Sequence, residues 1–134
     1  MLVVDACPET DALLADRSLA DADLRLEWVA DAREAVRRME SGDPVDVVLL
    51  APRLADPVRV AQRLHSLDRT GAVVILATLE REPEIRHSLE VAPFLEGDVT
   101  CVALPAAGVA QVLADAAERT RLRRAAAFKR WIQR

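Results

Sequence analysis

The chain has 134 residues, 51% hydrophobic and 30% charged, which suits one globular domain with a single proper core and argues against disorder. Aromatics are sparse (two Phe, two Trp, no Tyr), so the core is expected from Val, Leu, Ile and Ala, and base stacking on nucleic acid is disfavoured. The net charge of −4 is unevenly spread: residues 1–118 hold 11 basic and 22 acidic side chains, residues 119–134 seven basic and no acidic ones. No apolar run approaches the roughly 20 residues of a membrane span. Cys7 and Cys101 lie far apart without metal-ligand spacing, which reads as two reduced thiols in a cytoplasmic protein.

In chain order, Met1–Val4 reads as a short apolar strand ending at Asp5. Thr10 or Asp11 is placed to cap a helix reaching about Ala20, with Leu13, Leu14 and Leu19 for the core. Leu24, Leu26, Trp28 and Ala30 alternate with polar neighbours, the period of a strand with one wetter face at a sheet edge. Asp31 opens a helix over Ala32–Glu40, closed by Ser41-Gly42-Asp43-Pro44. The run Val45–Leu50 is β-branched and nearly uncharged, as a strand buried on both faces should be, and Ala51-Pro52 stops it. A helix is predicted from about Pro57 to Leu67, a strand over Ala72–Ala77, a weaker helix over Glu80–Leu95, a fifth strand over Val99–Leu104 ended by Pro105, and one long helix from Ala106 onward.

Five repeats of strand then helix predict an α/β fold: a five-stranded parallel sheet with right-handed crossovers and helices on both faces. The three uncharged strands belong in its middle, which is compatible with the order 2-1-3-4-5. In such a sheet, chemistry is placed at the carboxyl ends of the central strands.

With LVVDACPET at the start, DVVLLAPRLAD in the third strand, and VVILAT and CVALP in the last two, residues 1–118 resemble the receiver domains of two-component response regulators (CheY-like). The resemblance implies acidic residues after the first strand, a phospho-acceptor Asp after the third, Thr or Ser after the fourth and Lys-Pro after the fifth. Asp5 keeps the first acidic position, but Ala6 stands at the second and Ala51 at the phospho-acceptor. Ala77 takes the Thr/Ser position or, with a one-residue slip, Thr78 does. Cys101 stands where an aromatic switch residue is common, and Leu104 replaces the lysine, leaving Pro105.

Aspartyl phosphorylation requires a carboxylate nucleophile, a divalent cation held by carboxylates, and donors for the phosphoryl oxygens. Alanine at position 51 supplies no nucleophile, and Asp5 alone is a poor magnesium site. The resemblance therefore implies a degenerate pocket of Asp5, Ala6, Ala51, Ala77 and Leu104: a pseudo-receiver with no catalysis, metal or cofactor. The alternative is a phosphoacceptor using a displaced acid, Asp56; Asp46 lies at the opposite end of the strand. A small-ligand sensor using the vacated pocket ranks lower, since its lining offers little polar specificity. His65 and His87 read as surface histidines, and Cys7 as an inert thiol. Gly-rich turns, a Walker loop and a Ser-His-Asp arrangement are missing.

The last helix continues about four turns beyond Glu118. Val109, Val112, Leu113 and Ala116 are expected to face the sheet, and residues 119–134 form a basic amphipathic extension in which Leu122, Ala125, Phe128, Trp131 and Ile132 make a second apolar stripe. A second copy of the helix, giving a homodimer, is its first expected cover. A groove on another protein is the next, and an anionic membrane surface the least favoured. No specific nucleic-acid binding is expected from seven basic residues. The basic residues are expected to reach the acidic pocket side of a neighbouring copy. The reading is a signalling module working by protein–protein contact, the regulatory N-terminal part of a two-component-type protein.

Overall fold

The computed structural model describes residues 1–4, 25–91, 97–104 and 108–133. Its elements are β1 (Leu2–Val4), β2 (Glu27–Val29), α1 (Ala32–Ser41), β3 (Val47–Leu50), α2 (Pro57–Leu67), β4 (Ala72–Thr78), α3 (Glu82–Val91), β5 (Val99–Leu104) and α4 (Val109–Ile132). The strands form one sheet in the order β2-β1-β3-β4-β5. Every neighbouring pair is parallel, with Val3 opposite Leu49, Leu49 opposite Val74 and Ile75 opposite Cys101. This is the five-stranded α/β architecture expected from the alternation.

Side-chain alternation divides the central strands between two cores. Val4, Val48, Leu50, Val73 and Ile75 point to one face, where Ala35 of α1, Ala61 and Leu64 of α2, and Ile85 and Leu89 of α3 cover them. Val3, Val47, Leu49, Val74 and Leu76 point to the other, where Val109, Ala110, Leu113, Ala116 and Ala117 of α4 pack. β3 is buried at all four positions, because it has a strand on either side and helices above and below.

Local chemistry sets the helix ends. Asp31 caps α1 by accepting the Glu34 N–H at 2.8 Å, and the Glu34 carboxylate reaches back to the Ala30 N–H at 3.0 Å. Pro57 occupies the first turn of α2, where its missing N–H costs nothing. Gly108 takes a left-handed conformation (φ 85°), so α4 begins at Val109 rather than at Ala106. β4 runs one residue further than expected, to Thr78, because β5 continues alongside it to Leu104. α3 begins at Glu82 rather than Glu80, after a turn closed by the Arg81 N–H on the Thr78 carbonyl. In the edge strand, Val29 is buried, whereas Leu26 and Trp28, the apolar set of the alternation, are 37% and 46% exposed. The predicted first helix, with Asp5, Ala6, Cys7 and Pro105, lies outside the described residues.

Candidate functional site

Ala51 extends the β1–β3 ladder by one bond, its N–H donating to the Val4 carbonyl at 3.1 Å, and its own carbonyl accepts the Leu54 N–H at 3.2 Å. The side chain is 1% exposed. This strand end, where the doubly wound fold puts its chemistry, therefore presents a buried methyl group. Ala77 is likewise fully buried in the core beneath the helices α1–α3. Thr78 is exposed, and its Oγ accepts the Arg81 N–H at 3.4 Å. Leu104 lies opposite Thr78 in the β4–β5 register and packs, partly buried, against the α4-side core.

Sequence reasoning missed Arg81. From the loop after β4 its Nη1 donates to the Pro52 carbonyl at 2.9 Å and to the Leu54 carbonyl at 3.4 Å, joining two adjacent strand-end loops. A cation thus engages carbonyl oxygens of the loop after β3. The contact spans 29 residues with no local pattern to announce it.

Asp56 is exposed and stands at the N-cap of α2 with left-handed backbone angles (φ 49°, ψ 59°), its side chain making no capping bond. With Arg81, Glu84 and Ser88 it borders a cleft of about 290 Å³ between α2 and α3. Cys101 is buried, and burial pushes its thiol above the ordinary thiol range, the setting of an inert sulfur. His87 is exposed. His65 is a correction to the surface reading: it is 8% exposed and packs against Gly97. Burial, then the nearby Arg69, lower its pKa, so the neutral imidazole is favoured.

The polar machinery of the molecule sits at the other edge of the sheet, where the strands begin. Asp46 precedes β3, Asp68 and Thr70 precede β4, and Asp98 precedes β5; α4 passes all of them. Arg119 forms a bidentate fork on Asp98, with Nε at 3.0 Å and Nη2 at 3.1 Å. Arg123 donates to the same carboxylate at 2.9 Å and to the Thr70 carbonyl at 2.9 Å. Arg124 donates to Asp46, to Asp68 at 2.8 Å, to the Val45 carbonyl at 2.9 Å and to the Thr70 hydroxyl at 3.1 Å. Arg121 lies 3.5 Å from Asp46. Between them the buried Thr120 hydroxyl lies 2.9 Å from both the Asp46 and Ala116 carbonyls.

Burial pushes the Asp68 carboxyl up, but hydrogen bonds from Thr70 and Arg124 outweigh it and hold the group below its ordinary value. Asp98 is likewise pushed up by burial and held low by Arg119 and Arg123. Arg119, Arg121, Arg123 and Arg124 of the basic segment thus meet aspartates of their own body, at the edge opposite Ala51. Charge complementarity was legible in the sequence, but its cis geometry was not. Lys129 and Arg130 have no ion-pair partner among the described residues.

Beyond Thr120, its last buried residue, the helix leaves the sheet. Leu122, Phe128, Trp131 and Ile132 are 59–70% exposed, Ala125 is exposed as well, and the Phe128 and Trp131 rings stack with centroids 6.2 Å apart. Trp131 lies eighteen residues after the fully buried Leu113, about five turns, and so returns to the sheet-facing side where the sheet has ended. Among the described residues no helix is long and apolar enough to cross a membrane.

No family model and no curated protein matches the chain. It is similar to a solved structure described as the adenylate cyclase of Rhodopirellula baltica, at 16% identity over 99% of this chain and 96% of that one, with a TM-score of 0.74. A response-regulator receiver domain protein from Clostridium thermocellum matches at 18% identity over 92% of this chain and 94% of that one, with a TM-score of 0.66. A response-regulator receiver protein from Sinorhizobium medicae WSM419 matches at 18% over 91% and 94%, with a TM-score of 0.64. The chain has the receiver fold.

Proposed function

We propose that this chain is a non-catalytic signalling module of the two-component type, a pseudo-receiver that works by protein–protein contact without accepting a phosphoryl group. The observation that carries the reading is Ala51, a buried methyl at the end of β3 where phosphotransfer needs a carboxylate. Leu104 at the end of β5 and the engagement of the Pro52 and Leu54 carbonyls by Arg81 support it. The likeness to receivers supports the signalling class.

The contact element is the overhanging half of α4, and the first partner is a second copy. Four arginines of the basic segment are occupied by the body's own aspartates, so what the overhang offers is an apolar surface with Lys129 and Arg130 beside it. Its exposed Leu122, Phe128, Trp131 and Ile132 amount to several hundred Å² per copy, the order of half a standard interface at its lower end. The likeness to the Rhodopirellula baltica structure covers 99% of this chain and so extends along this helix as well.

The test is incubation with acetyl phosphate and magnesium, followed by intact-mass measurement of the chain and of the Asp56→Asn variant. The reading predicts no phosphoryl adduct on either. An adduct on the wild type that disappears in Asp56→Asn would overturn it in favour of a displaced phosphoacceptor.

A further inference from the structure

The face of the molecule formed by α1 and α2 carries a second surface, separate from the overhanging helix. A groove of about 220 Å³ runs between these two helices. Its floor is Ala32, Val36 and Val60, all partly buried. Its rim is Arg33, Arg59 and Arg63, all exposed. Among the described residues no carboxylate lines it. Arg63 has one loose contact, 4.0 Å from Glu40. Arg33 and Arg59 have no ion-pair or hydrogen-bond partner among the described residues. Of the two acids on α1, Glu40 is the one that meets Arg63, in the helix's last turn, while Glu34 faces the helix start, where its carboxylate is taken by the Ala30 N–H.

In a body with twice as many acids as bases, three guanidinium groups around an apolar floor, with Glu40 the one acid paired to any of them among the described residues, are a local reversal of sign. We infer that this groove docks an acidic amphipathic helix of a partner protein, its apolar side chains on Val36 and Val60 and its carboxylates on Arg33, Arg59 and Arg63.

The chemistry favours such a peptide over other anions. Guanidinium groups bind carboxylates in a bidentate fork, and two helices side by side make a trough that fits a third. A nucleic acid would find no aromatic side chain among the groove's described residues on which to stack a base, and its phosphates gain nothing from a valine floor. Val36 and Val60 also belong to the rim of the main core, so the floor is held rigid from beneath. The inference does not depend on whether the chain accepts a phosphoryl group.

The test uses the whole chain and a synthetic helical peptide with Leu on one face and Glu on the other, followed by amide chemical shifts and by fluorescence anisotropy of the labelled peptide. A scrambled peptide of the same composition and a single-stranded oligonucleotide are the comparison probes. Arg33→Glu/Arg59→Glu is the charge variant, on exposed positions where the fold is not at stake. Shifts are expected on α1 and α2, with affinity reduced about tenfold or more by the double substitution and weakened by salt. The scrambled peptide should bind more weakly, and Gln111→Ala, on the exposed side of α4, should leave binding unchanged. The inference is overturned if millimolar peptide leaves α1 and α2 unshifted, if the double variant binds equally well, or if the scrambled peptide or the oligonucleotide binds this face as tightly. It is also overturned if the groove proves to be covered by a second copy of the chain.

Discussion

Arg124 and Asp68 stand 56 residues apart in sequence and 2.8 Å apart in space, Nη2 to Oδ2, at the edge of the sheet where the strands begin. The same guanidinium engages Asp46, the Val45 carbonyl and the Thr70 hydroxyl, so one side chain of α4 holds the entries to both β3 and β4. Arg119 and Arg123 do the same for β5 through Asp98. These contacts fix where α4 leaves the sheet and hence the direction in which Phe128 and Trp131 project.

Replacing Arg124 by Ala should lower stability by about 2 kcal/mol, the magnitude of losing charge-assisted hydrogen bonds in a partly buried setting. Arg124→Lys should recover only part of it, because one ammonium cannot span four acceptors in the geometry of a planar fork. Urea unfolding monitored by circular dichroism measures both. A loss within error of zero for Arg124→Ala would mean that the apolar packing of α4 alone sets its position.

Acid should destabilise the chain in two windows. His65 has a folded-state pKa below its ordinary value of 6.5, so the unfolded chain binds its proton more readily. Its contribution is present above pH 6.5 and is lost as pH falls from there through the folded pKa. Asp98, Arg123, Asp68 and Arg69 are the charged groups around it. Asp68 and Asp98 are held below their ordinary 3.8, so their contribution is present above that value and is lost as pH falls further. The urea midpoint should therefore decline first below pH 6.5 and again below about pH 4. In His65→Asn the upper decline should flatten while the lower one persists.

Gly97→Ala should destabilise by about 2 kcal/mol, the usual size of overpacking. A Cβ at position 97 would run into the buried imidazole of His65, closer than any carbon–nitrogen contact allows. In a His65→Ala background the same substitution should cost much less. A double-mutant cycle reads this coupling directly, and an additive result would mean that the loop around Gly97 yields instead.

The strands were legible because β1, β3, β4 and β5 are short uncharged runs between turn signals, and burial on both faces leaves β1, β3 and β4 few alternatives. Ala51 and Leu104 were legible as strand-end residues for the same reason. Trp28 misled because an edge strand with a short ladder does not have to bury its apolar alternation, and Val29 took the core position instead. The surface reading of His65 failed because the residue it packs against, Gly97, lies 32 positions away and carries no side chain to signal the contact. Arg81 and the clamp of Arg119, Arg123 and Arg124 were hidden for a related reason. A charged side chain in a sequence says that a partner is needed, but the partner's address is a property of topology: Thr70 lies 53 and Asp46 78 residues from the arginines that reach them.

On the proposed reading, contact through the overhanging helix carries the function, not chemistry at β3. It is tested most directly by light-scattering mass of the wild type and of Phe128→Asp/Trp131→Asp, each with and without acetyl phosphate and magnesium. Both positions are 60–70% exposed, so the substitutions spare the core. A dimer mass is expected for the wild type and a monomer mass for the variant, with no change in either on adding acetyl phosphate. Equal masses for the two chains, or a wild-type mass that responds to acetyl phosphate, would contradict it.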